Sequence, residues 1–392
     1  MSSDWNTRTK LVHEGVRRSQ YGEMAEAIFM TQGFVYPSAE AAEQRFIEIG
    51  EDEFIYARYG NPTTRMFEER IAAIEGTEDA FATASGMAAV NGALTSLVKA
   101  GDHVVAAKQM FGSCLYVLEV LARFGVEVTL LDGTDLDAWR AAVREGTKFV
   151  FFESVSNPGL EVIDIKSVAE IAHAKGAMVV VDNVFATPVY SRAISLGADV
   201  VIYSTTKHID GGGRALGGVI CGTKDYIRGT LEPYLKHTGA AMSPFTAWIM
   251  LNGLQTLDLR VRAQTENAAR VAEALMGSEK ISRVSYPGHA SHPQHDLAIA
   301  QMGAGGTMIT FEVAGGKEAA FKLLNALEII KISNNLGDSK SIATHPATTT
   351  HQRLPQDQKD ALGITPGLIR LSLGIEDGRD LVADIERALA SI

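Results

Sequence analysis

Residues 200–208 read VVIYSTTKH, an apolar run followed at once by three hydroxyl side chains and a lysine. The run at 200–203 has the length and the β-branched residues of a strand that is buried on both faces. Ligands of open α/β sheets bind beyond the carboxyl ends of such strands. The residues just after this strand, from Ser204 to Lys207, are therefore the first candidates for a ligand site.

Apolar runs of strand length recur on both sides of this stretch, and segments with helical spacing separate many of them. The runs lie at 104–107, 126–131, 149–152, 178–181 and 218–221. Helical connections join parallel strands, and continuous apolar runs are typical of strands that are covered on both faces. The sequence therefore predicts an α/β fold with a mostly parallel central sheet.

The pattern changes near residue 245, which divides the chain into three parts. Residues 1–60 are polar and irregular, residues 61–247 carry the alternating strands and helices, and residues 248–392 combine a long helical stretch with short strands. We predict an N-terminal arm, a ligand-binding α/β domain and a smaller α+β C-terminal domain.

Composition and charge narrow the classes of protein that this chain can represent. The formal net charge is −11, which argues against nucleic-acid and anionic-membrane partners. No apolar run approaches the length of a membrane span, and the first residues lack the pattern of a signal peptide. The two cysteines, Cys114 and Cys221, do not indicate a disulfide framework. These features predict a cytoplasmic protein.

Two charged residues follow neighbouring apolar runs. Asp182 ends the run at 178–181, where an isolated carboxylate would be costly to keep ionised. A protonated pyridine nitrogen would offset that cost, although a helix cap or a structural ion pair would also explain the residue. Lys207 could form an imine with an aldehyde if burial made its amine neutral, or it could simply be a solvated lysine.

A third segment suggests an anion site. Small residues at 84–89, which include Gly86 and Met87, open a helical stretch, and exposed N–H groups at a helix start favour anions. Tight packing explains the same residues equally well. Combined with the hydroxyls at 204–206, Asp182 and Lys207, this segment would complete a coherent site for a phosphate and an aldehyde.

Two other patterns give weaker hypotheses. The glycine-rich segment 211–218 resembles a nucleotide loop, but it lacks the position and the later acidic residue of a dinucleotide fingerprint. A nicotinamide-dependent oxidoreductase is therefore retained only as an alternative of a different class. His289, His292 and His295 are evenly spaced, but the glycine and prolines around them indicate a loop, so we predict no metal site.

Further motifs extend these observations over nearly the whole chain. Residues 56–63 read YARYGNPT, 335–338 read NLGD, 345–351 read HPATTTH and 370–376 read RLSLGIE. Together with the segments above, and in this order, they resemble the trans-sulfuration family, the pyridoxal 5′-phosphate (PLP) enzymes of cysteine and methionine metabolism. The resemblance implies PLP as cofactor and the aspartate-aminotransferase-like architecture, fold type I.

The resemblance also implies roles for particular residues. Lys207 would carry PLP as a Schiff base and move protons, and Asp182 would keep the pyridine nitrogen protonated. Arg370 would bind the substrate α-carboxylate. The phosphate of PLP would be held by four residues of this chain, namely Gly86, Met87, Ser204 and Thr206.

The resemblance implies that Tyr56 and Arg58 reach the phosphate of a neighbouring subunit, and that Tyr56 is a catalytic residue beside Lys207. The resemblance therefore implies a homo-oligomer, a dimer of dimers whose active sites are shared across an interface. Two positions depart from the common family pattern. Phe111 stands where many members stack a tyrosine on the cofactor ring, and Asn335 stands where serine is frequent, although its amide could still contact the substrate.

Both departures agree with the sulfhydrylase type within the family. The implied reaction is γ-replacement, in which O-succinylhomoserine and sulfide give homocysteine and succinate during methionine biosynthesis. Lys236 and Arg353 are the candidates to bind the succinyl carboxylate. The alternatives are an O-acetylhomoserine sulfhydrylase, a cystathionine γ-synthase, a methionine or cystathionine γ-lyase, and a cofactor-free binding protein that has kept the fold.

Overall fold

The computed structural model describes residues 4–50 and 52–392, in which strands and helices alternate from residue 62 to residue 204. The strands are β1 (Asp79–Thr83), β2 (His103–Ala107), β3 (Glu127–Leu131), β4 (Thr147–Glu153), β5 (Met178–Asp182), β6 (Val200–Ser204), β7 (Gly218–Gly222), β8 (Ile281–Ser285), β9 (Met308–Val313), β10 (Lys331–Ile332), β11 (Ile342–Thr344) and β12 (Leu368–Ser372).

The α-helices are α1 (Thr7–His13), α2 (Ala39–Ile47), α3 (Pro62–Glu75), α4 (Gly86–Thr95), α5 (Gly112–Arg123), α6 (Leu136–Ala142), α7 (Ile165–His173), α8 (Thr187–Tyr190), α9 (Glu232–Thr238), α10 (Pro244–Gln255), α11 (Leu257–Met276), α12 (His295–Met302), α13 (Gly316–Ala326), α14 (Gln356–Ala361) and α15 (Gly378–Ala390). A π-helical stretch, Asp225–Leu231, leads into α9. None of the helices in the described residues combines the length and apolarity that a bilayer crossing requires.

The central sheet has seven strands in the order β1-β7-β6-β5-β4-β2-β3. Strand β7 is antiparallel to both of its neighbours, and the other four pairs are parallel. In β4, β5 and β6 the consecutive apolar residues are buried except for the partly buried Met178, as expected when both faces of a sheet are covered. The prediction of a mostly parallel α/β sheet is confirmed.

The C-terminal part contains a second, smaller sheet in the order β10-β11-β12-β9-β8. All of its pairs are antiparallel except β10 with β11. Helices α11, α13 and α15 supply much of a separate hydrophobic core against this sheet, which confirms the expected α+β architecture. The main core includes residues as late as Val261, inside α11, so the boundary at residue 248 stays a prediction.

The N-terminal segment differs from the prediction, because it contains two helices where irregular structure was expected. Leu11 of α1 is buried in the main core, and contacts with the rest of the chain therefore stabilise a helix that is short in sequence. Ser38 caps α2 by accepting a hydrogen bond from Ala41 N–H at 3.2 Å. Neither feature produces an apolar periodicity long enough to be recognised in the sequence.

A buried hydrogen-bond chain holds the ends of β5 and β6. The Tyr203 hydroxyl donates to Glu75 Oε2 at 2.5 Å and accepts from Asn183 Nδ2 at 2.7 Å. Tyr203 and Asn183 directly adjoin Ser204 and Asp182, and successive strand residues point to opposite faces. These hydrogen bonds therefore fix the ends of β5 and β6, which carry predicted site residues on the opposite face. Burial raises the pKa of Glu75 to about 7.

Replacing Glu75 should remove one component of the pH dependence of stability. The folded protein binds the Glu75 proton more tightly than the unfolded chain, so stability is lost as pH rises from 4.5 through about 7. The loss should reach about 3 kcal/mol in the wild type. Urea unfolding at several pH values should show a shallower decline for Glu75→Gln, and parallel curves for the two proteins would contradict this account.

Candidate active site

A cavity of about 530 Å³ opens at the carboxyl ends of β4, β5 and β6. Its walls also include the start of α4, the start of α5 and residues of the C-terminal part. Nine of the eleven predicted site residues line it: Gly86, Met87, Phe111, Asp182, Ser204, Thr206, Lys207, Asn335 and Arg370. The position of the cavity agrees with the rule that ligands bind beyond parallel strands.

Lys207 projects into this cavity just after β6. Its Nζ donates a hydrogen bond to Asn335 Oδ1, so an amide oxygen from the C-terminal part fixes the amine. Burial and, to a smaller extent, the Arg370 charge lower the pKa of Lys207, Asp182 raises it, and the net pKa is about 8. A substantial fraction of the amine is therefore unprotonated near neutral pH, as a nucleophilic lysine requires.

Asp182 lies at the end of β5, beside Lys207 in the cavity wall. Its Oδ1 accepts a hydrogen bond from Val184 N–H at 3.1 Å. Burial raises the pKa of this carboxyl, while the Val184 N–H and the Lys207 charge lower it. An ionised carboxylate here favours a cationic ligand group in hydrogen-bond range, which is the property needed to bind a protonated pyridine nitrogen.

The start of α4 forms an anion cradle against β6. Ser85 caps the helix by accepting a hydrogen bond from Ala88 N–H at 3.1 Å, so the helix begins at Gly86. A Cβ atom on Gly86 would lie 2.6 Å from Ser204 Oγ, and only glycine permits this close approach. First-turn N–H groups and a hydroxyl thus meet at one point, as phosphate binding requires.

The glycine-rich segment has a packing role. Thr206 Oγ1 donates to the Gly217 carbonyl at 3.2 Å and accepts from Gly217 N–H at 3.1 Å. Any Cβ atom on Gly218 would collide with the Ser85 carbonyl. The segment leads into β7 and not into a helix, so it lacks the strand-to-helix turn of a dinucleotide site.

Arg370 enters the cavity from β12 of the smaller sheet. Its guanidinium donates to Asn157 Oδ1 at 2.7 Å and to the carbonyls of Asn334 and Asn335 at 3.2 and 3.3 Å. Burial lowers the pKa of Arg370 to about 10, so the side chain keeps its charge near neutral pH. A fixed, charged fork beside Lys207 is suited to bind a substrate carboxylate.

Tyr56 and Arg58 lie outside the cavity of their own chain. The Arg58 guanidinium lies 5.4 Å and 5.1 Å from the ring centroids of Tyr56 and Tyr59, and Lys236 Nζ lies 5.6 Å from the Tyr59 ring. We call these four residues the arm cluster. Tyr56 is 41% exposed, so one face of the cluster is open to contact with another molecule.

Sequence reasoning missed several residues that also line the cavity, notably Glu153, Asn157 and Cys114. Glu153 ends the apolar run 149–152 in the way that Asp182 ends the run 178–181, so the same signal could have identified it. Asn157 lies in a loop, and its contact with Arg370, 213 residues away, leaves no local pattern.

The model of the family described as "Cys/Met metabolism PLP-dependent enzyme" matches residues 8–390. The chain belongs to this family. It is therefore a PLP-dependent enzyme of fold type I, and the predicted cofactor and architecture are confirmed.

Individual relatives show how far the similarity extends. The chain is 51% identical to an O-succinylhomoserine sulfhydrylase of Mycobacterium tuberculosis over 387 residues, 97% of this chain and 94% of the relative. It is 40% identical to an L-methionine gamma-lyase of Fusobacterium nucleatum subsp. polymorphum over 388 residues, 98% of each chain.

A solved structure matches the fold closely. It is an O-acetylhomoserine (thiol)-lyase of Campylobacter jejuni with N′-pyridoxyl-lysine-5′-monophosphate at position 205 of that chain. The TM-score is 0.94 and the sequence identity is 30%, and the match covers 99% of this chain and all of that one.

The residues of this chain fit the cofactor. An amine with a lowered pKa, a carboxylate, an aromatic ring and an anion cradle face one cavity, supplied by Lys207, Asp182, Phe111 and Gly86. Each group is complementary to one part of PLP: the amine to the aldehyde, the carboxylate to the pyridine nitrogen, the aromatic side chain to the ring, and the cradle to the phosphate.

Substitution of Gly86 should test the cradle. Gly86→Ala places a Cβ atom against Ser204 Oγ and should weaken PLP binding at least about tenfold. Gly112→Ala is the matched control, because Gly112 also begins a helix beside the cavity and its Cβ would meet only one atom, at 4.0 Å. Titration of the apoproteins with PLP measures both affinities, and equal losses would contradict the cradle.

Proposed function

We propose that this enzyme catalyses γ-replacement, converting O-succinylhomoserine and sulfide to homocysteine and succinate in methionine biosynthesis. The observation that supports this choice most directly is the 51% identity to an O-succinylhomoserine sulfhydrylase over nearly the whole of both chains. The cavity supports it by bringing Lys207, Asp182 and Arg370 around one volume.

The cofactor supplies a conjugated ring that takes up the negative charge left when a proton leaves the substrate α-carbon. The protein must then orient the substrate, move protons and keep water away from the reacting atoms. Asp182 contributes a negative charge at the ring nitrogen, which strengthens the ring as an electron acceptor. Phe111 contributes an apolar face against the ring.

Lys207 is the group that moves protons. Its pKa of about 8 lets the amine exist in both protonation states near neutral pH, which suits a base that later acts as an acid. The Lys207 Nζ donates a hydrogen bond to Asn335 Oδ1, and this bond restricts the conformations of the lysine side chain. We assign to Lys207 the removal of the α-proton and the later transfers at the β-carbon.

Arg370 orients the substrate through its α-carboxylate. Its bonds to Asn157 and to two carbonyls fix the guanidinium before any substrate arrives, which reduces the entropy cost of binding. Tyr56 and Arg58 are proposed to complete the phosphate site from a second copy of the chain.

The arm cluster supports an assembly of identical chains. It carries Arg58 and Lys236, two partly buried cations that do not line the cavity of their own chain. We propose a dimer of dimers, located in the cytoplasm, in which this cluster approaches the cavity of a neighbouring subunit. Lys236 would then be available to the succinyl carboxylate, whereas Arg353 does not line the described cavity.

A second candidate function is γ-elimination from methionine. The 40% identity to an L-methionine gamma-lyase over 98% of both chains favours it as the alternative. Replacement and elimination share the early proton transfers, so the residues discussed above serve both. The difference lies in whether an added thiol attacks the intermediate before the product leaves.

Assays with defined substrates separate these functions. The purified enzyme should form homocysteine and succinate from O-succinylhomoserine and sulfide, and should release little thiol from methionine alone. Lys207→Ala should lower kcat at least about 1,000-fold, because it removes the proton-transferring group. Lys166→Ala, at an exposed lysine of α7, is the control. Efficient thiol release from methionine, without use of O-succinylhomoserine, would contradict the proposal.

A further inference from the structure

Two carboxyl groups lie side by side at the floor of the cavity. Glu153 of β4 and Asp182 of β5 are register partners in adjacent parallel strands, so their side chains project from the same face of the sheet. One carboxylate oxygen of each, together with Cys114 Sγ, lies in a group whose members are all within 4.8 Å of one another. Glu153 has no part in the reaction described above.

The two oxygens of Glu153 have different surroundings. Its Oε1 accepts a hydrogen bond from Phe111 N–H at 2.7 Å. Its Oε2 is buried and has no hydrogen-bond partner within the described part of the chain. The residue as a whole is 6% exposed, although it lines the cavity. A buried carboxylate oxygen without a hydrogen-bond donor is costly to keep ionised, so this oxygen is the one that a proton would occupy.

The bond to Phe111 has a structural consequence. Phe111 occupies the N-cap position of α5, and its own side chain cannot cap the helix. Glu153 therefore fixes the backbone at the point where the Phe111 ring enters the cavity. Movement of this backbone would displace the aromatic ring that is expected to contact the cofactor.

The charges around the pair indicate which state Glu153 adopts. The guanidinium hydrogen bonds of Arg370 go to Asn157 and to two carbonyls, and the Lys207 amine bonds Asn335. Burial raises the pKa of Glu153 and the Asp182 charge raises it further, while the Phe111 N–H, the Arg370 charge and the Asn157 N–H lower it by less, so the pKa stays well above its ordinary value. Burial also raises the pKa of the Cys114 thiol, which stays neutral. Two ionised carboxylates at this distance would repel each other, and neither Arg370 nor Lys207 forms a hydrogen bond to Glu153 that would offset the repulsion.

We propose that Glu153 is a positioning residue that stays protonated in the PLP-loaded enzyme, fixing Phe111 while Asp182 carries the only negative charge of the pair. The inference rests on the proposed pairing of Asp182 with the pyridine nitrogen. A cation on that nitrogen stabilises the ionised form of Asp182 and leaves the single shared proton on Glu153.

Infrared spectroscopy of the loaded enzyme tests the protonation state directly. Near neutral pH the wild type should show a carboxylic-acid C=O band that shifts in D₂O and is absent from Glu153→Gln. Glu75→Gln is the matched control, since Glu75 is also a buried carboxyl with a raised pKa but bonds Tyr203, outside the cavity. Its own band should be lost while the Glu153 band remains. A wild-type spectrum without a band assignable to Glu153 would overturn the proposal.

Cofactor binding tests the positioning role. Glu153→Gln keeps a neutral acceptor for Phe111 N–H, so PLP affinity and the visible absorption maximum should stay close to wild type, within about threefold in affinity. Glu153→Leu removes the acceptor and should weaken PLP binding about tenfold or more. If the leucine variant does not fold, the PLP affinity of the glutamine variant and the infrared band still test the proposal.

The outcomes separate this inference from the roles on which it depends. Asp182→Asn should shift the visible absorption, because it removes a charge next to the ring. A similar shift in Glu153→Gln would show that Glu153 is ionised and would overturn the inference alone. No shift in Asp182→Asn would instead count against the pairing of Asp182 with the ring nitrogen, whatever the infrared result.

Discussion

The partial removal of Lys207 from water is the constraint on which the rest of the structure depends. A solvated lysine is almost fully protonated near neutral pH, whereas burial brings the pKa of Lys207 to about 8. The large sheet makes this possible, because β6 is covered on both faces and places the lysine in the wall of the cavity. The amide oxygen of Asn335, from the C-terminal part of the chain, then accepts a hydrogen bond from the amine, so both parts of the chain contribute to the site.

The cavity also requires a balance of charge. Arg370 stays cationic, Lys207 can be neutral, and the adjacent carboxyl groups of Glu153 and Asp182 cannot both be ionised at low cost. A protonated Glu153 resolves this conflict without a further cation. The same residue anchors Phe111, so one side chain links the electrostatics of the site to the position of its aromatic wall.

Much of the fold and part of the site could be predicted from sequence, because short-range patterns carry that information. Buried strands are continuous apolar runs, and the residues that end them, such as Asp182 and Ser204, lie at the ligand edge by geometry alone. Arg370 and Asn335 came only from the family resemblance, since they lie more than a hundred residues from Lys207. The contact of Asn157 with Arg370 was missed because tertiary packing alone brings them together. The N-terminal helices were missed because burial of Leu11, and not local periodicity, stabilises the first of them.

Chemical trapping of the cofactor tests the central claim most directly. Borohydride reduction of the loaded enzyme, followed by proteolysis and mass spectrometry, identifies the lysine to which PLP is attached. The account predicts a single pyridoxyl-modified residue, Lys207, with loss of the visible absorption band. Modification of a different lysine, or an enzyme that binds PLP without any reducible attachment, would contradict it.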